Sequence, residues 1–174
     1  MNNSFRLSFS IALLSLLSTN DALAENQELY LSAGISSHEL ESFEGNKLSA
    51  LFGARDHYSS GWFLGGEVEV SYLDYEVKAI GESYSLGANI PLGKRFELTE
   101  SMAVDIYGLA GYSMTNLNLP IKKKFHGLKW GVGSDISFSD FMIGARLTNA
   151  ELGNDDYQDK LREKNVTLLA SYKF

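Results

Sequence analysis

Three histidines, His38, His57 and His126, are the side chains best suited to move protons near neutral pH, and cysteine is absent. Ser36-Ser37-His38-Glu39 places a serine, a histidine and a carboxylate side by side in the sequence. Acyl transfer needs those three types to converge in space, the histidine activating the hydroxyl and the carboxylate orienting the ring. Neighbours in sequence need not converge, and no catalytic motif surrounds any of the histidines. The expectation is a protein that is not an enzyme, with no catalytic residue and no cofactor. Two acidic groups, Glu39/Glu41/Glu44 and Asp155/Asp156/Asp159, could attract divalent cations. Their spacing does not match a calcium loop, which needs a glycine at position 6 and a closing glutamate at position 12, so no metal site is expected. Lys122, Lys123 and Lys124, followed by Phe125 and His126, form a candidate anion or ligand loop. Its specific reading is an anionic polysaccharide or matrix protein on a host surface; its general reading is lipid phosphate or plain solvation.

A second set of charges lies inside apolar runs: Glu67, Glu69, Asp105, Lys129, Asp135, Arg146 and Lys173. Each sits in a stretch where polar and apolar residues alternate, the period of a strand with one apolar face. Eight such runs are expected: 29–36, 47–55, 62–73, 82–90, 102–115, 128–136, 141–148 and 166–174. In the last, Val166, Leu168, Ala170, Tyr172 and Phe174 share a face. Tight reversals are expected at 56–61, at Pro91–Arg95, where proline cannot serve a central ladder, and at 137–140, with a link of modest length around Lys78-Ala79-Ile80-Gly81. Longer charged loops are expected at 37–46, 116–127 and 149–164, and no helix-period segment competes with alternation.

The first 24 residues have the form of a cleaved signal peptide: Arg6, an apolar run from Ile11 to Leu17, then Ala22-Leu23-Ala24 before Glu25. Residues 25–174 then form one domain. No later stretch has the length and apolarity of a membrane-spanning helix. A net charge of −7 argues against nucleic-acid binding. A mean hydropathy of −0.13 does not separate a soluble protein from a barrel whose strands alternate.

The in-strand charges choose the faces. A lysine or arginine at mid-depth in lipid costs about 2–4 kcal/mol. With the apolar faces outward, those charges share the lumen as a paired network, and the glycines at 53, 87, 111, 131, 133 and 144 make room for long side chains. An eight-stranded barrel has an interior just wide enough for side chains to fill, so a blocked lumen is expected. Trp62, Tyr72, Tyr112, Trp130, Tyr172 and Phe174 suit an aromatic girdle at the membrane interfaces.

Tyr107-Gly108-Leu109-Ala110-Gly111-Tyr112 resembles the fifth strand, and Lys129-Trp130-Gly131-Val132-Gly133 the glycine-rich sixth strand, of small bacterial outer-membrane barrels of the OmpX/Ail type and of the OmpA membrane domain. The signal peptide, the eight runs and the Tyr172-Lys173-Phe174 ending are similar too. The resemblance implies an all-β, eight-stranded antiparallel up-and-down transmembrane barrel in the outer membrane of a Gram-negative cell. It implies Tyr172 and Phe174 as the signal read by the outer-membrane assembly machinery. It implies outer-membrane lipid and lipopolysaccharide as neighbours, a possible host-surface ligand, a structural, adhesive or serum-resistance role, and no cofactor. Two alternatives remain: a soluble exported lipocalin-like carrier with an apolar interior, and a lipid A-modifying barrel enzyme.

Overall fold

The computed structural model describes residues 27–77, 81–118, 123–154 and 157–174. The expected signal peptide at residues 1–24, Lys122, Asp155 and Asp156 lie outside them, as do residues 78–80 of the expected reversal between the third and fourth runs. Eight strands close into one antiparallel barrel: β1 (Gln27–Leu40), β2 (Phe43–His57), β3 (Trp62–Tyr75), β4 (Gly81–Thr99), β5 (Met102–Asn118), β6 (Lys123–Phe138), β7 (Phe141–Asn154) and β8 (Tyr157–Lys173). Each strand pairs with its sequence neighbours, and β8 pairs with β1 from Tyr30↔Lys173 to Leu40↔Glu163. Closure removes every sheet edge, so each backbone polar group can find a partner without water.

The strands run 14 to 19 residues. A tilted strand needs only about 9–11 to cross a bilayer. Most of the surplus lies at one end, the crown, opposite the base where β1 begins and β8 finishes; β4 and β5 also extend past β3 at the base, to the pair Thr99↔Met102. The surplus at the crown corrects the loop expectations. The first long loop is a two-residue turn at Glu41-Ser42, with Glu41 at φ 54°. Of the other two, every described residue, 116–118, 123–127, 149–154 and 157–164, lies in a strand. The loop residues are mostly barrel wall, so long outer loops and short inner turns do not distinguish the two ends.

The turn expected at Pro91–Arg95 is also wrong. β4 runs through it to Thr99. The ladder to β5 continues across Pro91↔Leu109, while the ladder to β3 breaks between Leu64↔Leu92 and Glu67↔Asn89. The proline thus sits where the β3 ladder is already open, beside Gly65-Gly66. Its buried ring lies against Gly65, where a Cβ would come within 3.0 Å of Pro91 Cγ. Proline fits a strand where its missing N–H has no ladder to serve.

The outer face has two zones. A band of exposed apolar residues circles the barrel: Leu31 and Ile35, Leu48 and Phe52, Trp62 and Val70, Leu86 and Ile90, Ile106, Leu128 and Val132, Ile143 and Leu147, Val166 and Leu168. Aromatic residues are frequent near its margins. Trp62, Phe96, Phe138, Phe141, Tyr172 and Phe174 are exposed toward the base, and Tyr72 and Tyr84 pack edge to face at 5.5 Å toward the crown. Above the band the outer wall carries Glu44, Asp74, Glu76, Glu82, Lys124, Glu151, Lys160, Arg162 and Lys164, all exposed.

Candidate functional site

Inward side chains stack in tiers along the barrel axis. In the middle tier, β2 aims Arg55 into the centre, fully buried. Its guanidinium donates to Asp105 Oδ2 at 3.0 Å and to Asp135 Oδ2 at 2.5 Å. It lies 4.9–5.0 Å from the ring centroids of Tyr30, Phe63 and Tyr107, close enough for cation–π attraction. Arg146 on β7 grips Glu67 on β3 with two parallel bonds of 2.6 and 2.7 Å, the bidentate geometry that suits a guanidinium. Arg146 Nε donates to the Tyr107 hydroxyl at 2.7 Å, and that hydroxyl donates to Asp135 at 3.0 Å. Glycine makes this crowding possible: a Cβ on Gly53 would sit 2.5 Å from the Tyr30 ring, and one on Gly133 2.5 Å from the Tyr107 ring.

Glu69 is the hub of the tier above. Lys47 approaches it at 2.7 Å and Lys129 at 2.5 Å, with Ser49 and Ser71 donating as well. The space left between this hub and Arg146 is a cavity of about 10 Å³, room for about one water. Higher still, His38 donates through Nδ1 to Asn165 Oδ1 at 2.7 Å, and its Nε2 lies within hydrogen-bond distance of the Tyr75 hydroxyl at 2.9 Å. Buried Glu163 lies 3.8 Å from His38 and 4.0 Å from Lys47. Leu40, Leu73, Tyr75, Leu117, Phe125, Ala150 and Leu152 then form an apolar plug inside the crown, with Leu161 against it.

The base tier is open. A vestibule of about 690 Å³ is lined by Glu28, His57, Arg95, Lys173 and Phe174, among others. Arg95 donates to both oxygens of Asp105 at 2.8 Å, and its Nη2 lies 3.4 Å from Glu28. Lys173 lies 3.2 Å from Glu28. Glu28, His57 and Asp105 each bring one donor atom within 4.8 Å of the other two, a spacing a metal ion could use. Arg95 and Lys173 already neutralise these carboxylates, so a divalent ion would have to expel two cations, and the charge balance opposes it.

Of the network foreseen in the sequence, Glu67, Glu69, Asp105, Lys129, Asp135 and Arg146 are buried in the lumen. Lys173 belongs to the base rim instead, on Glu28. The sequence reading missed Arg55, Lys47, Arg95, Glu28 and Glu163. Arg55 and Lys47 share the inward parity of Gly53 and were legible from it. Arg95 and Glu163 lie in stretches whose composition predicts a turn and a loop. Counted together, six described carboxylates (Glu28, Glu67, Glu69, Asp105, Asp135, Glu163) face six described cations (Lys47, Arg55, Arg95, Lys129, Arg146, Lys173) from the base rim up to the crown, so the charges of this network balance.

Two loop residues are relocated. His38 is not in an outer loop but sealed beneath the plug, with both ring nitrogens occupied. Ser36 faces inward on Thr167 Oγ1 at 2.8 Å, while Ser37 faces outward, so Ser36-Ser37-His38-Glu39 forms no catalytic convergence. The candidate anion loop is divided by strand alternation: Lys123 and buried Phe125 take the inward parity of β6, and Lys124 and His126 the outward. His126 Nδ1 lies 2.6 Å from the Tyr112 hydroxyl on the outer wall.

A closed barrel that is apolar outside and charged inside defines a transmembrane β-barrel, and the reverse polarity of a carrier with an apolar interior is ruled out. The chain belongs to the outer membrane protein beta-barrel domain family, whose model matches residues 9–174. Its fold is similar to that of Neisserial surface protein A, at a TM-score of 0.61 and 12% identity over 85% of this chain and 97% of that one. It is similar as well to Ail, the attachment invasion locus protein of Yersinia pestis, crystallised with the heparin analogue sucrose octasulfate, at a TM-score of 0.53 and 15% identity over 85% and 98%. No curated protein matches the sequence. The protein is an outer-membrane barrel with its lumen occupied by paired charges.

Proposed function

We propose that this is a non-enzymatic surface barrel, exported by residues 1–24, whose crown stands outside the cell as a rigid interaction surface. The observation that carries the reading is the reversal of polarity at the crown: charged residues outward and a packed apolar core inward, the arrangement of a β structure in water. The base carries both strand ends and the open vestibule and faces the periplasm. Filled by ion pairs and capped by the plug, the lumen serves stability rather than transport. Tyr172 and Phe174 serve as the mark read by the assembly machinery, their rings packed edge to face at 5.2 Å and Phe174 exposed. Adhesion or serum resistance is the finer role that the family resemblance supports. The division of Lys123 from Lys124 weakens a dedicated anion loop and moves any ligand contact to the outer wall and rim.

Because the chain has no cysteine, topology can be tested one thiol at a time. Glu151→Cys in the crown should react with a membrane-impermeant maleimide on intact cells, whereas Asp140→Cys at the base should react only after the outer membrane is permeabilised. The opposite pattern would invert the orientation, and labelling of both in a soluble fraction would refute the membrane reading. Binding of host matrix proteins by intact cells, compared with crown variants, then tests the adhesive role.

A further inference from the structure

Charges on the crown's outer wall are sorted by sign. On β2, β3 and β4, and one residue past the end of β3, the outward positions above the band are Glu44, Asn46, Asp74, Glu76 and Glu82. They crowd one another: Asn46 pairs with Asp74, Glu76 N donates to Glu44 O at 3.1 Å, and Asp74 and Glu82 follow directly on the Leu73↔Ser83 pair. Like charges side by side across strands are destabilising. Among the described residues no lysine or arginine shares this arc's outer face. On β6 and β8 the corresponding positions are Lys124, Lys160, Arg162 and Lys164. Glu151 and Glu39 engage Lys160 and Lys164 at 3.5 and 3.7 Å, and Glu41 accepts from the Arg162 backbone N–H at 2.6 Å; among the described residues the four cations still outnumber these three carboxylates.

The two arcs face opposite ways. In a closed eight-strand order, β3 lies across the barrel from β7, so the acidic arc centred on β3 opposes the basic arc flanking β7. They also share a height. Each begins at the last apolar residues of the band: Asp74 follows Tyr72, Glu82 precedes Tyr84, and Lys164 precedes Val166. A membrane holds every copy upright and at one depth, so the basic arc of one barrel can meet the acidic arc of the next without tilt or shift.

We propose that copies of this protein associate side by side in the membrane, the basic arc of one against the acidic arc of its neighbour. Patches on opposite sides make a heterologous contact that does not close, so the product is a row rather than a ring. The neighbour's cations relieve the crowded carboxylates that no cation among the described residues of their own outer face balances. Several charge pairs act together, and confinement to a plane removes most of the orientational freedom that weakens single exposed pairs.

The test uses the full mature chain refolded into phosphatidylcholine vesicles at low salt and treated with a carbodiimide, which joins amines to carboxylates without a spacer. The expected result is a ladder of covalent dimers and higher species, with Lys124, Lys160 or Lys164 joined to Glu44, Asp74, Glu76 or Glu82 between copies. K160E/R162E/K164E and E44K/D74K/E76K should each lose the dimer band at least tenfold when alone, and an equimolar mixture of the two should restore it. Heat-modifiable migration on gels confirms that each variant is folded. Salt near 1 M, where the Debye length is about 3 Å, should abolish the ladder. A single wild-type band, or a ladder unchanged by both reversals, overturns the proposal. So does a ladder that vanishes when lipopolysaccharide is added to the vesicles, since the basic arc then serves lipid phosphate; persistence there supports it.

Discussion

β7 is one strand in two solvents. From Phe141 to Thr148 its outward residues are Phe141, Ile143, Ala145 and Leu147, and its inward ones include Arg146 and Thr148. From Asn149 onward the outward residues are Asn149 and Glu151, and the inward ones are buried Ala150 and Leu152. The backbone does not change: its register with β6 runs unbroken from Phe138↔Phe141 to His126↔Gly153. What changes is the medium outside. In the band, hydrocarbon wets the apolar face and polar side chains must find partners inside. In the crown, water wets the polar face and apolar side chains collect inside. The same inversion falls at Ser36-Ser37 in β1, at Tyr72-Leu73 in β3 and at Thr115-Asn116 in β5. The phase of alternation therefore reports which solvent a strand faces, and the residue where it flips marks the membrane boundary.

The two regions should fail differently. The largest loss is expected in the band. Arg55→Met leaves buried Asp135 without its cation and deprives Asp105 of one of two, and removing one member of a buried ion pair costs about 3–5 kcal/mol. Urea unfolding in lipid vesicles measures it; a loss below about 1 kcal/mol would mean that the band interior is not held by charge. In the crown the equivalent truncation is apolar. Leu152→Ala opens a cavity in the plug at a fully buried position, and a loss of about 2–5 kcal/mol is expected. If the plug were loosely packed, that figure would collapse toward zero. The outer faces give the next contrast. Val132→Arg, at an exposed band position on β6, should cost about 2–4 kcal/mol, whereas Glu151→Arg on the crown of adjacent β7 should stay within about 0.5 kcal/mol. Equal effects at the two heights would erase the boundary.

The band was legible in the sequence because hydrocarbon imposes a strict rule on every second residue. Leu29, Leu31, Ala33 and Ile35, or Phe141, Ile143, Ala145 and Leu147, can be assigned to lipid by type alone. The charges opposite them then had to be inside, which placed Glu67, Glu69, Asp105, Asp135 and Arg146. The crown was not legible by that rule. Where the phase flips, two residues of one kind stand together, polar in Ser36-Ser37 and Thr148-Asn149 and apolar in Tyr72-Leu73, and a search for one continuous alternation stops there. Composition beyond that point predicts loops and links, and His38, Glu163 and all of the apolar plug but Leu73 go with them. Pro91 failed for another reason: its tolerance depends on a gap in the ladder to β3, a tertiary fact that no local pattern carries. Pair identities were also out of reach. That Arg146 meets Glu67, two strand faces and 79 positions apart, follows only from barrel register.

The smallest effect tests the boundary most finely. Lys164 and Glu39 form an ion pair of 3.7 Å on the outer wall, with the lysine side chain 61% exposed. They sit just above Val166 and Ile35, the last lipid-facing residues of β8 and β1. If water reaches them, the pair is an ordinary surface ion pair, and Lys164→Ala should change unfolding free energy by no more than about 0.5 kcal/mol. If the apolar band extended one pair higher, Glu39 would be left unpaired in a medium of low dielectric constant, and the loss would rise to several kcal/mol. Repeating the measurement at higher salt separates the cases again, because an exposed pair is screened and a lipid-embedded one is not. A small, salt-sensitive change would place the water boundary between Lys164 and Val166, where the phase of β8 puts it.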